Sequence, residues 1–348
     1  MLHIPITLSE YRFTLSPLEA LDLPEYEGST LRGAFGAALR RTVCMQRERR
    51  ICTGCPLERT CAFAYLFASS PPPDATVFQS YLETPRPYVL EPPNGGGRYL
   101  AGVPLHFGLT LVGQATLFFP YCLLAFHKIG RMGLGPRRTR LRLERVEALG
   151  EDLEWHVVYE AGDAGLAEHR HLINSSTFQQ LARAILPPAP VDSNGAVDLT
   201  LRFDTPTRLK VDGRLRDVPR FPYLLRALLR RLSMLAACHC AEVMKLDFEG
   251  LIERAQRVEV VEDRTSWVDW SRYSRRQGRW MKLGGITGEV TYRMDRDFLE
   301  FILPALVAGQ FLHIGKNTTF GLGKYTLLPV GSRASAQRRK AREGVSQC

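Results

Sequence analysis

The chain has 348 residues and carries 46 Lys and Arg against 36 Asp and Glu, a net charge of +10. With 45% apolar and 24% charged residues it has the balance of a globular protein, which excludes disordered, collagenous and coiled-coil chains. The length suits two domains, each large enough to bury a core, and the excess of base points to a polyanionic partner.

Residues 1–5, Met-Leu-His-Ile-Pro, have no basic stretch ahead of an apolar core, so no targeting segment is expected and a cytoplasmic location follows. Residues 3–15 alternate apolar and polar side chains and predict a strand. Gly28, Ser29 and Thr30 open a helix with Leu31, Phe35, Ala38 and Leu39 on one face. A cysteine-rich insert follows at 44–61, then a proline-rich stretch that favours extended loops. Residues 99–126 contain no Asp, Glu, Lys or Arg, long enough to raise a membrane span. Gly102, Pro104, Gly108, Gly113 and Pro120 divide that run, and Leu105, Phe107, Leu109 and Leu111 recur at the period of a strand. A strand near 104–113, a helix near 120–129 and a strand near 139–149 are expected, with no membrane partner.

The second half repeats this order. Strands are expected at 197–201, 258–261, 288–292 and 323–328, and helices at 221–238 and 298–307. Two βαββαβ units in tandem make an α+β protein of two ferredoxin-like domains. The expected domains are 1–160, with the cysteine insert, and 195–330, with a glycine-rich loop. Residues 161–194 form a polar linker, and the basic tail 331–348 is expected to be disordered.

Four cysteines, Cys44-x₇-Cys52-x₂-Cys55-x₅-Cys61, lie within 18 residues, and in a cytosolic chain disulfides are disfavoured. Four thiolates close a tetrahedral structural zinc site, and an iron–sulfur cluster accepts the same set. The glycine run Gly315-Lys316-Asn317-Thr318-Thr319-Phe320-Gly321-Leu322-Gly323 comes after a helix and before a strand. That order is the reverse of a dinucleotide fingerprint, so the glycines are read as letting a phosphate backbone approach. Lys316 and Lys324 add charge there, and Asn317 adds hydrogen bonds. Arg138, Arg140 and Arg142 fall on one side of the expected strand and form a track for a polyanion. Tyr273 stands among Arg272, Arg275, Arg276 and Arg279, beside Trp267, Trp270 and Trp280, a mixture suited to base stacking and phosphate contact.

Taken together, Leu31-Arg32-Gly33-Ala34-Phe35-Gly36, the cysteine cluster, residues 270–277 and the terminal glycine loop resemble the CRISPR repeat-processing endoribonucleases. These are the sixth CRISPR-associated protein family, within the RAMP superfamily. The resemblance implies tandem ferredoxin-like domains and metal-independent cleavage of CRISPR repeat RNA, with no cofactor needed for catalysis. In that chemistry a 2′-hydroxyl attacks the adjacent phosphate and leaves a 2′,3′-cyclic phosphate. It also implies that the product is held as a guide, with other subunits of a CRISPR effector complex as partners. The alternative is a superfamily member that binds guide RNA without cutting it. Family members often carry a catalytic histidine just after the first helix, whereas residues 36–61 here contain none. His313, directly before the glycine loop, takes that place as the acid or base, against the alternative that it packs at a helix end. Lys316 is assigned to phosphate charge and Tyr273 is the third catalytic candidate. Arg32, Arg138, Arg140, Arg142, Arg272, Arg275, Lys316, Asn317, Gly321 and Gly323 are the expected RNA contacts.

Overall fold

The computed structural model describes residues 1–49, 51–69, 84–93, 96–163, 165, 171–186, 195–269, 271–274 and 279–328, with the backbone alone for 271–274 and 279–282. In the first unit five antiparallel strands run in the order Tyr88–Glu91, Leu105–Val112, Leu8–Pro17, Leu141–Leu149, Trp155–Glu160. The helices Gly28–Val43 and Phe119–Met132 cover one face. Side chains alternate across each strand, so Tyr11, Phe13 and Leu15 point into the core while Arg12 and Thr14 are half-exposed. Phe35 stacks on Phe126 with centroids 4.8 Å apart, and Phe13 on Phe107 at 4.9 Å. Phe126 also meets Phe13 at 4.6 Å and Phe107 at 4.7 Å, and so joins the helix pair to the sheet.

The second unit repeats the plan with the order Glu259–Val268, Gly285–Asp295, Ala196–Thr207, Tyr325–Leu328, and with helices Phe221–His239 and Arg296–Leu312. Numbering the four shared strands of each unit along the chain gives the order 2-3-1-4 in both, which is the ferredoxin-like arrangement. The chain is therefore a tandem of two ferredoxin-like units. Among the described residues no helix is long and apolar enough to cross a membrane.

Three findings depart from the expectations. Residues 3–7 are not strand: the first strand starts at Leu8, and the chain before it runs into the second unit. Leu2 donates its N–H to Phe301 O at 2.8 Å, and Leu2, Ile4, Ile6 and Leu8 are buried with the second unit's leucines. The segment read as a polar linker contains the helix Ser175–Ile185, capped by the Asn174 side chain on the Ser176 N–H at 2.9 Å. Its apolar stripe seats Phe178 against Phe311, 5.9 Å between centroids, and so belongs to the second core. Short helices at Ala62–Ala68 and Phe248–Gln256 also form, and a hairpin of Ser271–Ser274 with Arg279–Lys282 follows the edge strand. The basic tail 331–348 and residues 187–194 lie outside the described residues.

Because Ile4 is fully buried in the second core, Ile4→Ala is expected to cost about 2–5 kcal/mol, the usual penalty for an aliphatic side chain truncated in a packed interior. Urea unfolding should show the lost stability as a lower midpoint at unchanged slope.

Candidate nucleic-acid interface

The helix Arg296–Leu312 ends at His313, whose backbone turns to φ 58° while its N–H still bonds Gly309 O at 2.8 Å. From there the chain makes a tight loop back to Tyr325. Ile314 N–H bonds Gly323 O at 2.9 Å and closes the base. Gly323 has φ +79°, and a Cβ there would sit 1.9 Å from Ile314 O, so only glycine closes this loop. Asn317 takes the left-handed conformation at φ 67° and leads into the short turn Thr318–Phe320.

The first unit grips this loop from below. Tyr26 donates its hydroxyl to Phe320 O at 2.6 Å. Arg32 donates Nε to Thr319 Oγ1 at 3.1 Å and lays its guanidinium over Phe320, 4.6 Å from the ring centroid, and over Phe67 at 5.2 Å. A Cβ on Gly28, at the start of the first helix, would come within 2.0 Å of Phe320 O, so the helix abuts the loop directly. Glu91, at the end of Tyr88–Glu91, supplies the charge: Oε1 accepts from His313 Nε2 at 3.0 Å and Oε2 from Lys324 Nζ. His313 Nδ1 meets Leu322 O at 3.2 Å. The two partners of the imidazole are thus a backbone carbonyl and the Glu91 carboxyl.

Burial alone would push the Glu91 carboxyl up, but His313 and Lys324 together outweigh it and hold it at about 2. Neighbouring Glu10 moves the other way, to about 7, first through burial and then through the Glu91 charge. Tyr26 is also raised, by burial first and by Glu91 second. Burial would lower Lys324, yet Glu91, with Glu10 and Asp204 behind it, raises it.

The expected site residues therefore fall into distinct places. His313 is fully buried with both nitrogens engaged between the units, leaving no ring edge at the surface. Lys316 is exposed at the loop tip, its N–H fixed on Arg208 O at 3.2 Å, and Asn317 beside it is half-exposed. Gly321 and Gly323 are buried in the loop's base, and Arg32 is clamped as described. Arg138, Arg140 and Arg142 are exposed and alternate with buried Thr139, Leu141 and Leu143. The strand, however, begins at Leu141, Arg138 sits in a turn at φ 52°, and Arg142 is paired with Glu144 at 2.8 Å. Tyr273 and Arg272 lie on the strand Ser271–Ser274, of whose side chains nothing is described, and Arg275 lies outside the described residues. Sequence reading missed Glu91 and Tyr26, which carry no motif. The one trace of Glu91 was a single acid closing the apolar run Tyr88-Val89-Leu90 within the proline-rich stretch.

Cys44, Cys52, Cys55 and Cys61 are half-buried free thiols in a turn-rich segment between two helices of the first unit. Backbone bonds set its path: Cys55 N–H to Cys52 O at 2.9 Å and Cys61 N–H to Leu57 O at 2.8 Å. The Cys52 thiol is pushed up by burial and then by Cys61, with Cys44 and Cys55 adding, so the four sulfurs share one neighbourhood. Among the described residues, though, no three His, Cys, Asp or Glu gather closely enough to hold a metal ion. The metal centre expected from the spacing is not preformed, because turns and the helix start at Ala62 place the thiols near one another without converging them on one point.

Comparison with known proteins agrees with this architecture. Residues 5–171 match a family model described as an N-terminal domain, and residues 201–325 match the CRISPR-associated endoribonuclease Cas6 model. No curated protein sequence matches the chain. Among solved structures, a Cas6 product complex is 19% identical with TM-score 0.53, covering 92% of this chain and all of the other. Cas6 of Thermus thermophilus is 17% identical with TM-score 0.52, covering 93% of this chain and 99% of its own. A partial Cas6-RT-Cas1–Cas2 complex is 16% identical with TM-score 0.57, and there this chain spans 46% of the longer polypeptide. At these identities the likeness is one of fold, the tandem of two ferredoxin-like units described above. Residues 201–325, about a third of the chain, are the part that matches the Cas6 endoribonuclease model.

The Glu91 pair has a defined pH signature. A carboxyl held at about 2 when folded and near 4.5 when unfolded stabilises the protein above about pH 4.5 and loses that contribution as pH falls toward 2. Glu91→Gln should cost about 2–3 kcal/mol at pH 7, less than a fully buried pair because Lys324 is partly exposed. Thermal melts from pH 7 to 2 should show a shallower acid decline for Glu91→Gln than for the wild type.

Proposed function

We propose that this protein binds CRISPR repeat RNA and cleaves it to release guide RNAs. The observation that carries the reading is the Cas6 domain match over the unit that holds the glycine loop, with Lys316 exposed at its tip. The ribose 2′-hydroxyl attacks the adjacent phosphorus in line, and the bond to the departing 5′-oxygen breaks. The products are a 2′,3′-cyclic phosphate and a 5′-hydroxyl, and no metal takes part. Lys316 offsets the charge that builds on the phosphate oxygens. His313 acts from beneath, holding the loop through Glu91 rather than meeting the RNA. Tyr273, on the arginine-bearing hairpin, is the remaining candidate for proton transfer, with Arg272 and Arg275 on the backbone of the bound strand. The cut RNA remains bound as a guide, which makes other CRISPR subunits partners.

Incubation with repeat RNA in EDTA should yield a product ending in a cyclic phosphate. Lys316→Ala is expected to weaken both affinity and single-turnover rate, the rate by roughly 10²-fold, because a cation beside phosphate acts before and during the reaction. The buried His313 and the absence of histidine from residues 36–61 favour a second reading, a guide holder that does not cut. RNA that is retarded in a gel but left intact by the wild type would decide for that reading.

The cysteine lobe is proposed to take a structural soft metal, zinc or an iron–sulfur cluster, on Cys44, Cys52, Cys55 and Cys61. The donor chemistry suits such a metal, and the shared neighbourhood of the thiols supports it. Protein purified without chelators should then contain zinc or iron by elemental analysis, and replacing Cys52 and Cys55 by Ser should remove it. Metal-free wild-type protein would end the proposal.

A further inference from the structure

Charge is distributed unevenly over the two faces of the first unit. Four sheet arginines are neutralised locally, Arg142 by Glu144, Arg145 by Glu160, Arg202 by Asp204 and Arg293 by Asp198, at 2.7–3.0 Å, while Arg12 lies over the Trp155 ring. The helices Gly28–Val43 and Phe119–Met132 contain no acidic residue at all. Their last turns meet at one edge, where Lys128 Nζ bonds Arg41 O at 3.2 Å and Arg41 Nη1 reaches Met132 Sδ at 3.6 Å. Arg40 and Arg41 from one helix and Lys128 and Arg131 from the other thus share this edge. Arg40 also donates to Arg49 O, which brings Arg49 beside them, with Glu48 the nearest acid in sequence. Among the described residues none of these five cations has an ion-pair partner. A helix C-terminus favours a cation by about 0.3–1 kcal/mol. That accounts for one cation at each terminus, whereas five neighbouring ones repel each other unless a polyanion lies across them.

We propose that this helix-end edge is a second binding surface for the RNA backbone, continuous with the glycine loop. The inference rests on the RNA-binding reading above and extends it to residues outside the loop. Continuity comes from the helix Gly28–Val43 itself. Its first residue touches the loop at Phe320 O, and Arg40 stands twelve residues further on, about 18 Å at 1.5 Å per residue. Arg32 lies between them, and no acid interrupts the path along the helix. A strand leaving Lys316 therefore has a basic ridge to follow. Guanidinium groups suit it because each pairs two phosphate oxygens.

The test compares the wild type with the triple variant Arg40→Ala, Arg41→Ala, Arg131→Ala, by fluorescence anisotropy with single-stranded repeat RNA from about 50 to 200 mM salt. Lys316 and the loop are untouched. Losing three phosphate contacts should lower the log–log salt slope by about 2, at 0.7 per contact. Affinity should fall about tenfold or more at the low-salt end. Should the triple variant not fold, the charge-keeping triple change to Lys and the single variants Arg41→Gln and Arg131→Gln give the same comparison. The change to Lys should retain the slope, and each Gln should remove about 0.7. An unchanged slope and affinity in folded variants overturns the second surface while leaving RNA binding by the loop intact. Unchanged RNA binding with lost binding of a polyglutamate probe would instead assign the edge to an acidic protein. A wild type that does not bind RNA overturns the RNA reading as a whole.

Discussion

The relation between the two units depends on one buried carboxylate. Glu91 ends a strand of the first sheet and accepts from His313 and Lys324, which flank the glycine loop of the second. The buried Glu91 carboxylate is held ionised because both side chains donate to it. The arrangement is mutual, and it places the loop. Tyr26, Arg32 and Gly28 then complete a seat whose shape leaves Lys316 facing outward. Loop position thus follows from charge compensation between the two units.

Much of this architecture could be read from periodicity. The alternation through Leu105, Phe107, Leu109 and Leu111, the stripe of Leu224, Leu228, Leu232 and Leu235, and the matched order of elements in each half all correspond to strands and helices in place. The helix Ser175–Ile185 was hidden because its composition is polar while its apolar residues keep one face. Residues 3–7 alternate as strands do but bury against another unit, and a local pattern does not say which sheet, if any, a segment joins. His313 illustrates the same limit for function. Its place beside the glycine loop was visible, but whether a ring faces solvent or a buried acid depends on Glu91, 222 residues away in sequence. The cysteine spacing was equally visible, and the distance among the four sulfurs depends on turns that spacing does not encode.

The separation of paired from unpaired charge also bears on how polyanions meet this molecule. Sheet arginines bound to their own strand's acids offer little net field, since each pair is nearly neutral at a distance. The cations of the helix edge have no ion-pair partner among the described residues, and the field of such charges reaches about 8–10 Å, the screening length at physiological salt.

The burial of residues 2–8 in the second core has a consequence for the order of events during synthesis. Leu8 exchanges backbone hydrogen bonds with Ile173, and Leu2 bonds Phe301, so these early residues must wait for segments made long afterwards. At roughly 5–20 residues per second, the ribosome needs on the order of 15–60 seconds to reach Phe301 after Leu2. In that interval the central strand Leu8–Pro17 can pair within its own sheet, but the apolar residues just ahead of it remain without their pocket. The nascent protein therefore carries a sticky leading segment until its second half emerges. Such contacts between sequence-distant residues raise the entropic cost of closure and slow the last step of folding. A protein organised as two repeated units in space is thus assembled, in time, as one.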